Sequence, residues 1–297
     1  MDTLLLKGKP VSDALRVKLK SRIDELAADG IIPKLAAILI GDDPASKVYV
    51  RNKSRTFEAQ GCRSQTYNLS AETDEKEILH LIDKLNNDMQ VHGILVQLPL
   101  PRNMNSQKIL HSVSPDKDVD GFHPQNLGLL LEGNPNFIPC TPHGVLEILK
   151  FYHIPVSGRH AVIVGRSNIV GKPMFTLLAQ KFKMGNATVT MCHTGTEDLK
   201  SFTKQADILI AAVGCPEMIK GNMIKDGVDI IDVGINRVND DSEKGYHLVG
   251  DVHPESVMGI AKSLTPVPGG VGPMTITMLL NNTVLSAEKC RHLEVAV

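Results

Sequence analysis

The chain has 297 residues, room for two domains at roughly 150 residues each. With 42% apolar and 22% charged residues it can bury a sizeable core, which excludes wholesale disorder. Its 32 basic and 33 acidic residues leave a net charge of -1, so there is no field for a nucleic-acid backbone. No apolar run nears the ~18 residues of a spanning helix, so no membrane partner is expected.

The opening Met1-Asp2-Thr3-Leu4-Leu5-Leu6 is too short for a secretory apolar region, and Asp2 argues against an organellar presequence. Five cysteines, Cys62, Cys140, Cys192, Cys215 and Cys290, are widely spaced with no CxxC pair. They read as incidental thiols of a reducing compartment, neither a disulfide framework nor a metal site. The expectation is a cytoplasmic protein without a bound metal.

In chain order, Val11, Leu15, Leu19, Ile23 and Leu26 recur at helical spacing and predict a helix over 11–29. A strand at 35–40, a helix at 44–60, a strand at 63–69, a helix at 73–89 and a strand at 93–98 follow. Such alternation predicts βαβ units and a parallel sheet covered by helices on both faces. Pro115, Pro124, Pro135, Pro139 and Pro142 then punctuate 115–144, where a domain junction is expected. The alternation restarts with strands at 160–165, 187–192, 207–213 and 228–233 and helices at 170–183 and 196–205. The polar 236–250 segment reads as a hairpin excursion, and a Gly/Pro-rich loop at 265–273 precedes a last helix ending near 288. The expected fold class is α/β with two domains: 1–138 plus 276–297, with the last helix packing back, and a doubly wound domain at 139–275.

The 160–165 strand runs into Gly165-Arg166-Ser167-Asn168-Ile169-Val170-Gly171 and a helix. Backbone N–H groups and the helix dipole there favour an anion. The usual GxGxxG is absent, because Ser167 stands at its middle glycine. In NAD sites an acid after the second strand holds the ribose 2′-hydroxyl. Here that strand runs into His193-Thr194-Gly195-Thr196, with no carboxylate before Glu197. A cation, Arg166, and neutral donors favour a 2′-phosphate, hence NADP over NAD. Val213-Gly214 and Asp232-Val233-Gly234-Ile235-Asn236 end later strands, where α/β sheets bind ligands. Each feature alone is also ordinary structural punctuation.

Asp43 can cap the 44–60 helix and Pro44 suits its first position. Ser46, Tyr49 and Lys53 then share one face. A partly desolvated lysine can exchange protons near neutrality, and a tyrosine ring can stack on a flat heterocycle. Strand 93–98 delivers a lone Gln97, and Asp120-Gly121 forms a turn whose carboxylate either faces the same cleft or only caps the turn.

Read together, Pro44-Ala45-Ser46 with Tyr49 and Lys53, Val96-Gln97-Leu98-Pro99-Leu100-Pro101, Lys117-Asp118-Val119-Asp120-Gly121, Pro139-Cys140-Thr141-Pro142, the 165–173 turn, Asp232-Val233-Gly234-Ile235-Asn236 and Thr265-Pro266-Val267-Pro268-Gly269-Gly270-Val271-Gly272-Pro273-Met274-Thr275 form an ordered set. From about residue 4 to 288 the chain resembles the bifunctional methylenetetrahydrofolate dehydrogenase (NADP+)/methenyltetrahydrofolate cyclohydrolase family. The resemblance implies an N-terminal α/β folate-binding catalytic domain, 1–138 plus 276–297, and a Rossmann-like doubly wound NADP-binding domain, 139–275. It implies oxidation of 5,10-methylenetetrahydrofolate with NADP+ and hydrolysis of the methenyl product to 10-formyltetrahydrofolate, in a homodimer.

By the same resemblance Lys53 is the catalytic acid/base, Gln97 tunes it, Tyr49 stacks on the folate and Asp120 anchors the pterin. Ser46, Pro268, Gly269, Gly270 and Val271 contact substrate. Gly165, Arg166, Ser167, Ile169, Gly171, His193, Thr194, Val213, Gly214 and Ile235 bind the cofactor. His253-Pro254 departs from the family pattern and is expected to alter only a local turn. No GxxxxGK[ST] occurs, so formate ligation is not expected. The alternatives are another two-domain NADP oxidoreductase of the shikimate dehydrogenase type and a non-catalytic NADP-binding sensor.

Overall fold

The computed structural model describes residues 2–242 and 245–295. Met1, residues 243–244 of the predicted hairpin excursion and residues 296–297 of the predicted first domain lie outside the described residues. The chain forms two compact units, one of Ala14–Cys140 with the chain from Ile276 onward, the other of the chain up to Asp13 with Thr141–Thr275.

In chain order the elements begin with β1 (Leu4–Leu5), α1 (Gly8–Ala28), β2 (Lys34–Ile40), α2 (Pro44–Ala59), β3 (Arg63–Leu69), α3 (Glu75–Asn87) and β4 (Gly93–Val96). Helices α4 (Ser106–His111), α5 (Pro124–Glu132) and α6 (Cys140–Phe151) follow. Then come β5 (His160–Val164), α7 (Gly171–Ala179), β6 (Thr188–Cys192), α8 (Leu199–Thr203), β7 (Ile208–Ala211) and β8 (Asp229–Asp232). The hairpin strands β9 (Asn236–Asn239) and β10 (Tyr246–Val249), α9 (Pro254–Val257), β11 (Ser263–Leu264) and α10 (Gly272–Val295) complete the chain.

The unit that holds residues 14–140 is built on a parallel sheet in the order β3-β2-β4, with Ile38 opposite both Tyr67 and Val96. Strand β2 is buried along almost its whole length, which is why its sequence reads as a continuous apolar run. Ile38, Ile40, Ile78, Ile82, Ile94, Val96 and Ile109 form a core on one side of this sheet. A parallel bridge between Ile94 and Asp118 lays the segment 118–120 beside β4. The Pro-rich stretch expected only as a junction contains helix α5 and the start of α6. Pro124 occupies the first turn of α5, and His123 Nδ1 caps it by accepting from Gln125 N at 3.1 Å.

The other unit has a parallel sheet in the order β1-β11-β8-β7-β5-β6. Strand β6 lies on one side of β5 and β7 on the other, so the direction of winding reverses between β5 and β7. In open α/β sheets ligands bind outside the carboxyl ends of the strands at such a reversal. Val162, Val164, Leu209, Ala211 and Ile230 are central to the core. Strands β9 and β10 pair antiparallel, with Val238 opposite His247.

The first residues differ from expectation. Leu4 and Leu5 pair with Ser263 and Leu264, so β1 belongs to this sheet and not with residues 14–138. A two-residue strand leaves no periodic signature in a sequence.

Candidate active site

Helix α2 starts at Asp43, whose carboxylate accepts from Ser46 N at 2.8 Å, and Pro44 occupies its first turn. The helix then buries Ser46, Val50, Lys53 and Phe57, spaced as one face. Lys53 is only 3% exposed, against the usual fate of a lysine. Its Nζ donates to Gln97 Oε1 at 3.1 Å and lies 4.5 Å from the centroid of the Tyr49 ring. Gln97 follows the last residue of β4, and its N–H extends the ladder to Ile38 O at 2.9 Å. Its Nε2 donates to Leu98 O at 2.6 Å, which locks the amide with its oxygen toward Lys53.

Asp120 reaches this cluster because the segment 118–120 runs beside β4. Asn282 Nδ2 fixes that segment, donating to Val119 O and Ile138 O at 2.9 Å each. Asp118 is spent on structure: it accepts from His123 N at 2.7 Å and from Asn126 Nδ2 at 2.8 Å, and burial raises its carboxyl to about 6. Gly121 has φ +77°, and a Cβ there would press on Pro139 N at 2.9 Å, so only glycine lets the chain turn after Asp120.

Desolvation lowers the pKa of Lys53, against the pull of Asp120 and Cys140. Desolvation raises Asp120, against the pull of Lys53 and a hydrogen bond with Cys140. Cys140 is the residue that sequence reasoning missed. It is buried, its Sγ lies 3.3 Å from Val119 O, and burial holds the thiol well above its ordinary value. Grouping it with four incidental thiols hid it; its place in Pro139-Cys140-Thr141-Pro142 was the available signal.

In the other unit the expected cofactor residues fall on the carboxyl ends of four neighbouring strands. Gly165 follows β5 at φ +130°, and a Cβ there would collide with Ala212 O. A Cβ on Gly171 would collide with Gly165 O. The turn is thus closed tightly against itself. Ser167 Oγ, in the place of a middle glycine, accepts from Val170 N at 3.1 Å and Gly171 N at 3.4 Å just ahead of α7. Arg166 is exposed and, among the described residues, forms no ion pair; Ile169 and Ile235 are also exposed.

After β6, His193 Nδ1 accepts from Gly195 N at 3.0 Å, and Thr194 is exposed. Glu197 is exposed and precedes α8, whose cap is Asp198. Val213 and Gly214 follow β7, but both N–H groups donate to the buried carboxylate of Asp251, at 2.6 Å and 3.0 Å. They can meet a ligand only through their carbonyls and carbon surface. In the loop after β11, Gly269 has φ +106° and accepts from Gly8 N at 2.8 Å, and Val271 is buried. Pro268 is joined through a cis Val267–Pro268 peptide. Among the described residues no group of His, Cys, Asp or Glu could hold a metal, and no helix is long and apolar enough to cross a membrane.

Two family models match the chain. The tetrahydrofolate dehydrogenase/cyclohydrolase catalytic domain covers residues 6–120, and the NAD(P)-binding domain of the same family covers 139–291. The bifunctional protein FolD of Chlorobium limicola is 51% identical over 295 residues, 98% of this chain and 100% of the relative. That of Geotalea daltonii is 52% identical over 285 residues, 96% and 99% of the two chains. Among solved structures, the bifunctional methylenetetrahydrofolate dehydrogenase/cyclohydrolase FolD from Campylobacter jejuni is 49% identical with a TM-score of 0.91, covering 97% of this chain and 99% of its own. The Trypanosoma brucei methylenetetrahydrofolate dehydrogenase-cyclohydrolase, complexed with NADP cofactor and inhibitor, is 35% identical with a TM-score of 0.92 and covers 97% and 98%. With both family domains matched in order and full-length relatives at about half identity, the chain belongs to the tetrahydrofolate dehydrogenase/cyclohydrolase family.

Proposed function

We propose that the chain oxidises 5,10-methylenetetrahydrofolate to the 5,10-methenyl cation with NADP+ and hydrolyses that cation to 10-formyltetrahydrofolate, with Lys53 as the acid/base. The observation that carries the reading is a buried amine of lowered pKa, held by Gln97 Oε1 at 3.1 Å beside the Tyr49 ring and Asp120. Hydrolysis of a methenyl bridge needs a proton taken from water as its oxygen adds to carbon, and a proton delivered to the ring nitrogen as the C–N bond breaks. An amine whose proton is held less tightly than that of an exposed lysine can give and take it, and so serves both steps. Gln97 keeps Nζ aimed, because its own Nε2 is tied to Leu98 O. Tyr49 offers the ring face on which a pterin stacks. An ionised Asp120 is acceptor-only, which suits the amino and ring N–H edge of the pterin. Ser46, Pro268, Gly269, Gly270 and Val271 are the remaining proposed substrate contacts.

The turn after β5 fits a dinucleotide. Gly165 and Gly171 have no room for a side chain, and Arg166 is an exposed cation available to a 2′-phosphate. No carboxylate follows β6 until Glu197, which removes the usual ribose acceptor of NAD sites. Gly165, Arg166, Ser167, Ile169 and Gly171 would hold NADP with His193, Thr194, Val213, Gly214 and Ile235. Bound there, the cofactor supplies the hydride acceptor. The reading extends to a homodimer in the cytoplasm; five free cysteines, three of them buried, support a reducing compartment.

The test is a steady-state assay of methylenetetrahydrofolate oxidation with NADP+ or NAD+, alongside hydrolysis of methenyltetrahydrofolate without cofactor. Both reactions, with NADP+ preferred, are expected. Turnover of a hydroxy acid and none of methylenetetrahydrofolate rejects the reading.

A further inference from the structure

Three consecutive N–H groups after β7 converge on one point. Val213 N and Gly214 N donate to Asp251 Oδ2 at 2.6 Å and 3.0 Å, and Cys215 N donates to Asp251 Oδ1 at 3.0 Å. Successive N–H groups of this kind form a concavity that binds anions. This one sits where the sheet reverses its winding, the place an anionic ligand would otherwise take. The chain fills it with its own carboxylate from 36 to 38 residues away.

The same carboxylate reaches the next strand end. Asn236 Nδ2 donates to Asp251 Oδ1 at 2.9 Å and to Gly250 O at 3.2 Å. A second buried carboxylate, Asp232 at the end of β8, holds Asp251 in turn. It accepts from Asp251 N at 3.0 Å, Val252 N at 2.9 Å and Gly234 N at 2.9 Å. Two glycines make room for the pair: a Cβ on Gly234 would collide with the Asp251 carboxyl, and one on Gly250 with that of Asp232. Asp251 is 0% exposed, and among the described residues no cation pairs with it. Its oxygens are met by three backbone N–H groups and the Asn236 amide.

We infer that Asp251 is a positioning residue for the cofactor: by occupying the 213–215 concavity and clamping Asn236, it shapes the two strand ends that carry Val213, Gly214 and Ile235. The inference rests on the proposed cofactor site. It has a chemical consequence. Because the concavity is already filled by a carboxylate, the phosphates of the cofactor are left to the β5 turn and Arg166. Emptying it creates a new site for a small carboxylate.

The experiment uses the full chain with Asp251→Ala and Asp251→Asn, reading the calorimetric Kd for NADP+ and the cofactor-free hydrolysis of methenyltetrahydrofolate. In Asp251→Ala the Kd rises roughly 10- to 100-fold, the range for lost hydrogen bonds to a charged group. Hydrolysis stays within about twofold, and added formate restores the Kd by refilling the concavity. In Asp251→Asn the volume is kept but an NH2 group faces the donors, so the Kd rises and formate does not rescue it. An unchanged Kd in both variants overturns the inference. So does a proportional loss of binding and hydrolysis in Asp251→Asn, which reports a damaged fold, or a loss that formate fails to reverse in a folded Asp251→Ala. Wild-type protein that binds NADP+ yet leaves methylenetetrahydrofolate untouched refutes the proposed function while the Kd comparison still judges Asp251.

Discussion

The two units bury charge in different company. Around Lys53 the partners are side chains: one amide oxygen, one aromatic ring, one carboxyl and one thiol. Around Asp251 and Asp232 they are mostly backbone N–H groups, three to each carboxylate. Burial shifts pKa values in both units, lowering Lys53 and raising Asp232. A carboxylate surrounded by converging N–H groups is held in place and organises the backbone around it. In the proposed reading the unit with the lysine carries the proton transfer, and the other shapes strand ends for a ligand whose own charge is left to the exposed Arg166.

The sharpest way to break this comparison is Lys53→Ala. Hydrolysis of methenyltetrahydrofolate should fall by about 10²- to 10⁴-fold, the usual worth of a positioned acid/base, while NADP+ affinity is nearly unchanged. Wild-type-like hydrolysis would place the proton chemistry elsewhere. Asp120→Asn comes next, with an expected rise of roughly 10- to 100-fold in the KM for folate through the lost charged acceptor. It also tests the electrostatics. Asp120 pulls the pKa of Lys53 upward, so its neutralisation should move the lysine limb of the hydrolysis pH profile to lower pH. A limb that stays put, or moves up, would mean the two groups do not share a field.

Arg166→Ala addresses the exposed charge. A lost charge-assisted contact should weaken NADP+ by roughly 10-fold and leave NAD+ nearly alone; equal losses would remove the 2′-phosphate argument. A last effect, on stability and not on activity, concerns Asp232, which burial raises from 3.8 to about 7 despite its three N–H donors. The folded state then holds this proton more tightly than the unfolded chain does. Its stabilisation is present at low pH and is lost as pH rises from about 4 through about 7, by at most ~1.4 kcal/mol per pH unit. Asp232→Asn should flatten that part of the stability curve in denaturant titrations, and an identical slope would show that the carboxyl does not titrate there.

Much of this was open to a reader of the sequence. Local patterns determined the parallel α/β class, because a buried strand needs a continuous apolar run and an N-cap needs Asp43 ahead of Pro44. The same local logic placed Ser46, Tyr49 and Lys53 on one face of a helix and marked the β5 turn by its glycines. What the sequence could not decide was the company each residue keeps. Whether Lys53 met water or Gln97 depended on β4 ending beside β2, and whether Val213 and Gly214 had free N–H groups depended on Asp251, 36 to 38 residues on. Cys140 looked like its fellow thiols until the turn at Gly121 brought it against Asp120, and two leucines at the start joined a sheet whose partner strand lies some 260 residues away. Periodicity, propensity and capping act over a few residues and are written locally. Burial, hydrogen-bond satisfaction and the shifted pKa values arise from groups far apart in the chain, and only the tertiary structure decides them.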